Sequence, residues 1–183
     1  KQAQVPLLLG TNSQEDYYTT LLQGQSPTPS NYRAALQRLF GAQAEQALIL
    51  YPGASEAQVQ QSATALAGDI FIAHSTWRWM DLQRRPSRAP VYFYYFAQPR
   101  PARNHPAAGE QPDTGAVHSG EIEYALGNLA TNEVYAWTAA DRRTSATMEG
   151  YFAQFIKTGD PNGASLPHWP AVRESDGGLL RQV

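Results

Sequence analysis

The hexapeptide Val91-Tyr92-Phe93-Tyr94-Tyr95-Phe96 constrains the fold of this chain more than any other segment. Every residue is β-branched or aromatic, so the segment reads as a strand. It shows no polar alternation, and Pro99 follows shortly after it. A second apolar run, Val5-Pro6-Leu7-Leu8-Leu9, closes at Gly10. It reads as a strand buried on both faces, as in a parallel sheet. Helical patterns fill the space between the two runs.

Tyr17 to Leu22 reads as helical, and Gln23 to Pro29 as a loop. Ser30 or Asn31 is positioned to cap a helix reaching Phe40. Ala42 to Tyr51 and Ser55 to Gly68 give two more helices. Asp69 to Arg84 reads as a long helix with Ile70, Ile72, Trp77, Met80 and Leu82 on its apolar side, broken by Pro86 to Pro90. Gln98 to Gly115 is a Pro-rich excursion, and Glu121 to Leu126 begins a helix after it. Ser145 to Thr158 is an amphipathic helix with Met148, Tyr151, Phe152, Phe155 and Ile156 on one side, stopped at Gly159. Trp137, Trp169 and the Tyr92–Tyr95 run read as core aromatics. Strands alternating with helices give an α/β class.

At 183 residues, with 42% hydrophobic and 11% aromatic residues, the chain has the material for a core. A net charge of -2 gives no reason to expect a polyanion partner. Arg84, Arg85, Arg88, Arg100 and Arg103 sit beside prolines and read as solvated loops, not as a stripe following phosphates. The absence of cysteine excludes disulfides, thiolate metal sites and a cysteine nucleophile in this chain. No apolar run approaches the ~20 residues needed to cross a membrane, so no membrane partner is expected. The opening Lys1-Gln2-Ala3-Gln4 has no initiator Met and leads straight into an apolar run. It is read as the start of a chain cut from something longer.

Of four histidines, His74, His105, His118 and His168, only His118 sits in a setting that asks for explanation, a turn from Gly115 to Gly120 downstream of the strong strand. Sites in open α/β sheets form at the carboxyl ends of strands. A histidine there can act as general base if an acid orients its other nitrogen. Glu15 also follows a buried strand by a few residues and is the matching acid candidate. From the residues alone, a solvated loop histidine and an idle loop glutamate remain open alternatives.

Three segments go further. Gly115-Ala116-Val117-His118-Ser119-Gly120-Glu121-Ile122-Glu123-Tyr124-Ala125-Leu126-Gly127 resembles the catalytic-histidine segment of the type-B carboxylesterases, the family of the cholinesterases and the bacterial para-nitrobenzyl esterases. Leu9-Gly10-Thr11-Asn12-Ser13-Gln14-Glu15 resembles the segment carrying that family's triad acid. Tyr151-Phe152-Ala153-Gln154-Phe155, Thr158-Gly159-Asp160-Pro161-Asn162 and Trp169-Pro170 resemble its C-terminal signature, in the same order and spacing. Gln14, Asp16, Ala125 and Leu126 depart from the family pattern. Asp16 places a further charge beside Glu15 and is read as pointing to water.

The resemblance implies the C-terminal part of an α/β-hydrolase fold: the last strands of the sheet plus flanking helices. Residues 1–183 are then expected to be one segment of that domain, without the N-terminal part that holds the nucleophile. Glu15 and His118 would be the acid and base of a Ser-Glu-His triad. Glu121 would lie close behind the active site, although a carboxylate capping a helix start fits its position equally well. Tyr17 and Tyr18 would line the substrate gorge, or pack in the core or rim. Asp160-Pro161-Asn162 reads as a structural turn.

A nucleophile elbow needs G-x-S-x-G, and no such pentapeptide occurs here. Gly24-Gln25-Ser26-Pro27-Thr28 fails at its last position. The expected function is carboxylic ester hydrolysis without cofactor or metal, this chain supplying Glu15 and His118 and being inactive alone. The alternative is a non-catalytic, cholinesterase-like adhesion protein. The expected partners are a small-molecule ester and either the missing N-terminal half or further copies of the chain. Many bacterial members of the family it resembles are exported, which leans toward an exported bacterial protein with any leader upstream, and the lack of cysteine leans away from the disulfide-bearing animal members; the ester itself is not specified.

Overall fold

In a computed structural model, the described residues are 3–85, 89–172 and 181–182. In chain order the elements are β1 (Leu7–Asn12), α1 (Tyr18–Leu21), α2 (Pro29–Phe40), α3 (Ala44–Leu50), α4 (Glu56–Gly68), α5 (His74–Arg84), β2 (Val91–Phe96), α6 (Ile122–Ala125), α7 (Ala139–Thr158) and β3 (Arg181–Gln182). They form two compact units. One comprises residues 1–13 and 75–183, the other Gln14–His74.

The first unit is built on a parallel sheet ordered β1-β2-β3. Leu7 pairs with Val91 and Asn12 with Phe96. Side chains alternate across a strand, and both faces of β2 are covered. Val91 and Phe93 join Leu9 and Met80 of α5 in one cluster. Tyr92, Tyr94 and Phe96 join Met148 and Tyr151 of α7, with Trp169, in another. Two-sided burial is the reason β2 carries no polar alternation. Gly10 lies opposite Tyr94 in the register. A Cβ at Gly10 would overlap the Tyr94 ring, so glycine is required there by close approach.

The helix α7 starts six residues before the expected Ser145, at Ala139. Its first turns are charged and carry no apolar period. They are held instead by a capping box: Thr138 Oγ1 accepts from Asp141 N at 3.2 Å, and Thr138 N donates to Asp141 Oδ2 at 2.8 Å. The stop is where expected, at left-handed Gly159. Ile156, expected on the apolar side, is 80% exposed, because the stripe that packs runs through Met148, Tyr151, Phe152 and Phe155. Trp169 is buried and Trp137 packs against the same cluster, as expected of core aromatics.

The turn after α7 is structural. Asp160 Oδ1 accepts from Asn162 N at 2.9 Å, and Asn162 clasps Trp169 through both its backbone N and O. The backbone and amide N–H groups of Asn162 hold the Asp160 carboxyl below its ordinary 3.8, against the opposing effect of burial. Stability from this depressed pKa is complete above pH 3.8 and is lost as pH falls through the lower folded value. Urea midpoints should therefore fall below pH 3.8, and Asp160→Asn should flatten that acid limb. An acid limb of unchanged slope in the variant would refute this account.

The second unit is helical, with its core formed by Leu21, Leu22, Tyr32, Leu36, Val59, Ala63 and Leu66. The cap of α2 is Thr28, whose Oγ1 accepts from Asn31 N at 3.2 Å, not Ser30 or Asn31. Pro29 takes the first helical position, where its missing N–H costs nothing. Gly41–Gln43 is a 3-10 turn, so α3 begins two residues later than expected. The helix expected from Ser55 to Gly68 is α4, with Ser55 as its cap and Glu56 as its first residue. The single helix expected over Asp69–Arg84 is instead a π turn, Asp69–Ala73, followed by α5. The wider turn resets the phase, and periodicity read across it misplaces side chains. Ile70, Trp77 and Leu82 are exposed, and Met80 alone of the five expected residues is fully buried.

The break expected at Pro86 to Pro90 lies largely outside the described residues, as does Arg88. The other arginines are more engaged than solvated loops would be. Arg84 and Arg85 pair with buried Asp81 at 2.7 and 2.8 Å. Arg100 pairs with Glu123 at 3.0 Å and stacks 5.1 Å from the Tyr135 ring centroid. Arg103 pairs with Glu110 at 3.0 Å. Among the described residues, no helix is long and apolar enough to cross a membrane.

Candidate active site

The carboxyl ends of β1 and β2 meet in the first unit, and the His118 turn is fastened there. Ser13 N donates to Phe96 O at 2.9 Å, extending the β1–β2 pairing by one residue. Ala116 N donates to Ser13 Oγ at 2.8 Å. Asn12 Nδ2 donates to Val117 O at 2.8 Å and also to Glu121 Oε2. Gly120 N closes the turn onto Val117 O at 2.9 Å. A Cβ on Gly120 would sit 2.8 Å from that same oxygen, so only glycine fits. Ser119 is held at φ 63, a left-handed conformation costing a non-glycine residue about 1 kcal/mol. His118 itself is exposed.

Behind the turn, α6 presents Tyr124 to α7. The Tyr124 hydroxyl donates to Asp141 Oδ1 at 2.8 Å, and Ser145 Oγ donates to Tyr124 O at 3.0 Å. Burial, reinforced by the Asp141 carboxylate, pushes the Tyr124 hydroxyl far above its ordinary pKa, so it stays a donor. Phe96 and Trp137 pack on its ring edge-to-face, with centroids at 5.1 and 5.7 Å. The start of α7 thus braces the helix that leaves the histidine turn.

Glu121 makes no capping hydrogen bond at the start of α6. Its carboxylate accepts from Asn12 instead. Glu15, Tyr17 and Tyr18 belong to the second unit. There the backbone and Cβ of Glu15 pass beside Gly68 at the end of α4. Tyr18 N donates to Thr64 Oγ1 of α4 at 3.1 Å, and its ring packs against the core of that unit. Tyr17 is 41% exposed. Asp16 is half-buried and does not simply face water. Its Oδ1 accepts from Tyr17 N and Thr20 Oγ1, both at 2.8 Å, holding the first turn of α1.

Sequence reading singled out Glu121 but not Asn12 or Ser13, which carry the turn. The available signal was a pair of polar residues closing an otherwise apolar strand. Among the described residues, no group of three His, Cys, Asp or Glu is arranged to hold a metal ion.

The sequence profile of the carboxylesterase family matches residues 1–182. A pyrethroid hydrolase of Rattus norvegicus is 27% identical over 182 residues, covering 92% of this chain and 31% of that protein. The para-nitrobenzyl esterase of Bacillus subtilis (strain 168) is 28% identical over 174 residues, covering 93% and 32%. Among solved structures, a thermophilic PNB esterase superposes with a TM-score of 0.62 at 26% identity, covering 93% of this chain and 33% of that one. The sheet and its flanking helices are accordingly part of an α/β-hydrolase fold. The chain spans about a third of the length of these relatives.

Proposed function

This chain belongs to the carboxylesterase family, and we propose that it supplies the acid and the histidine of a serine ester hydrolase whose nucleophile lies outside these 183 residues. The observation that carries this reading is the fastening of the His118 turn to the carboxyl end of β1 through Asn12 and Ser13. That edge is where α/β sheets hold their chemistry. Glu15 follows Ser13 by two residues, which supports pairing it with His118.

A serine Oγ from the accompanying segment attacks the ester carbonyl while His118 takes its proton. The tetrahedral oxyanion is held by backbone N–H groups of that segment. The bond to the alkoxy oxygen breaks, and His118 passes the proton to the departing alcohol. Water then repeats the sequence on the acyl-serine and releases the acid. Glu15 fixes the imidazole tautomer and stabilises imidazolium. Asn12, bonded to Val117 O and Glu121, supports the turn that carries the histidine.

Among the described residues β1 ends the sheet on one side. Its outer edge offers backbone N–H and C=O groups to a further strand, which supports docking of the serine-bearing segment there. The test is turnover of an aryl ester. The 183-residue chain alone should give none that a fluorophosphonate blocks, and the chain together with a serine-bearing family segment should give it. Inhibitable turnover by the chain alone would overturn the division of labour. Persistent absence of turnover in an assembled, folded pair that retains G-x-S-x-G would favour a non-catalytic binding role.

A further inference from the structure

Asn12 closes β1 and is 4% exposed. A side-chain amide has two N–H donors, and here both go to the histidine turn. One reaches Val117 O, immediately before His118, and the other Glu121 Oε2, three residues after it. We propose that Asn12 is a positioning residue for His118, one amide gripping both ends of the turn and tying it to the last residue of β1. The inference rests on the reading of His118 as the general base.

The turn needs such a grip. Ser119 is in a left-handed conformation, and His118 is exposed. Val117 O accepts from Gly120 N within the turn as well as from Asn12 Nδ2. Without the amide, that carbonyl would keep a partner inside the turn but lose its tie to the sheet. The Glu121 carboxylate would lose its donor at the same time. Asn12→Asp is the sharpest change: nearly the same shape, no donors when ionised, and a second carboxylate placed against Glu121.

The experiment uses the serine-bearing enzyme for kinetics and the 183-residue chain for spectroscopy. Asn12→Asp and Asn12→Ala should lower kcat by about 10–100-fold with KM little changed, because a displaced base harms the reaction and not ground-state binding. Adding Glu121→Ala to Asn12→Ala should cost less than the two single effects combined, since either change alone already removes the Asn12–Glu121 contact. In the 183-residue chain, the imidazole resonances of His118 should broaden or split in the Asn12 variants. Unchanged kcat and unchanged resonances in both folded variants would overturn the proposal. So would a loss of activity that merely follows the folded fraction while the His118 resonances stay as in the parent. If His118→Ala keeps activity, the reading of His118 as base fails, and the resonances still decide whether Asn12 holds the turn.

Discussion

In the serine-bearing enzyme, His118→Ala is expected to lower kcat for an aryl ester by about 10⁴-fold or more and to leave the urea midpoint of the protein nearly unchanged. The size follows from the role. Without a base, serine must lose its proton to water, and the departing alkoxide must leave unprotonated. The unchanged stability follows from the position, since His118 is exposed. Glu15→Gln should also lose about 10⁴-fold, because the amide leaves the imidazole in the wrong tautomer. Both variants should keep KM close to the parent, because neither residue is asked to bind the ground-state ester. A loss confined to KM would assign His118 to substrate binding. A drop in the urea midpoint matching the drop in activity would make it a structural residue.

The second large effect is on stability. Asp141→Ala should destabilise the protein by about 3–5 kcal/mol. The Asp141 carboxylate is 1% exposed and accepts four hydrogen bonds. The donors are the Tyr124 hydroxyl at 2.8 Å, Thr138 N at 2.8 Å, Thr138 Oγ1 at 2.5 Å and Gln98 Nε2 at 3.2 Å. Truncation removes half of the capping box and leaves the buried Tyr124 hydroxyl without its acceptor, and unmet buried donors are costly. Tyr124→Phe removes one donor and one bond, and should cost only about 1–2 kcal/mol. Arg142→Ala, one residue along on the exposed side of α7, should stay within about 0.5 kcal/mol. Denaturant melts of the three variants test the order. Equal effects for Asp141→Ala and Arg142→Ala would show that the buried network carries no stability.

What could be read from the sequence was whatever apolar pattern alone decides. Both long strands were legible because Leu7–Leu9 and Val91–Phe96 carry no polar alternation, and the structure covers β2 with α5 on one face and α7 on the other. The end of α7 was legible because Gly159 must turn left-handed. Its beginning was not, because Thr138 and Asp141 start the helix through hydrogen bonds before any apolar residue repeats. Phase was lost at Asp69–Ala73, since a π turn has no signature in hydrophobic spacing. The histidine turn stood out through its resemblance to a family segment. Its attachment did not, because Asn12 and Ser13 lie more than a hundred positions away in sequence from the groups they hold, Asn12 and Val117 being 105 apart. Only the parallel register, which sets Asn12 beside Phe96, brings the end of β1 to that turn.

The most direct measurement of the central claim is intact-mass and peptide mapping of the serine-bearing enzyme after a fluorophosphonate probe, for the parent and for His118→Ala. The account predicts one phosphonyl adduct in the parent, mapping outside residues 1–183, and labelling slowed by orders of magnitude in the variant. An adduct on a residue of this chain, or labelling at the parent rate without His118, would contradict it.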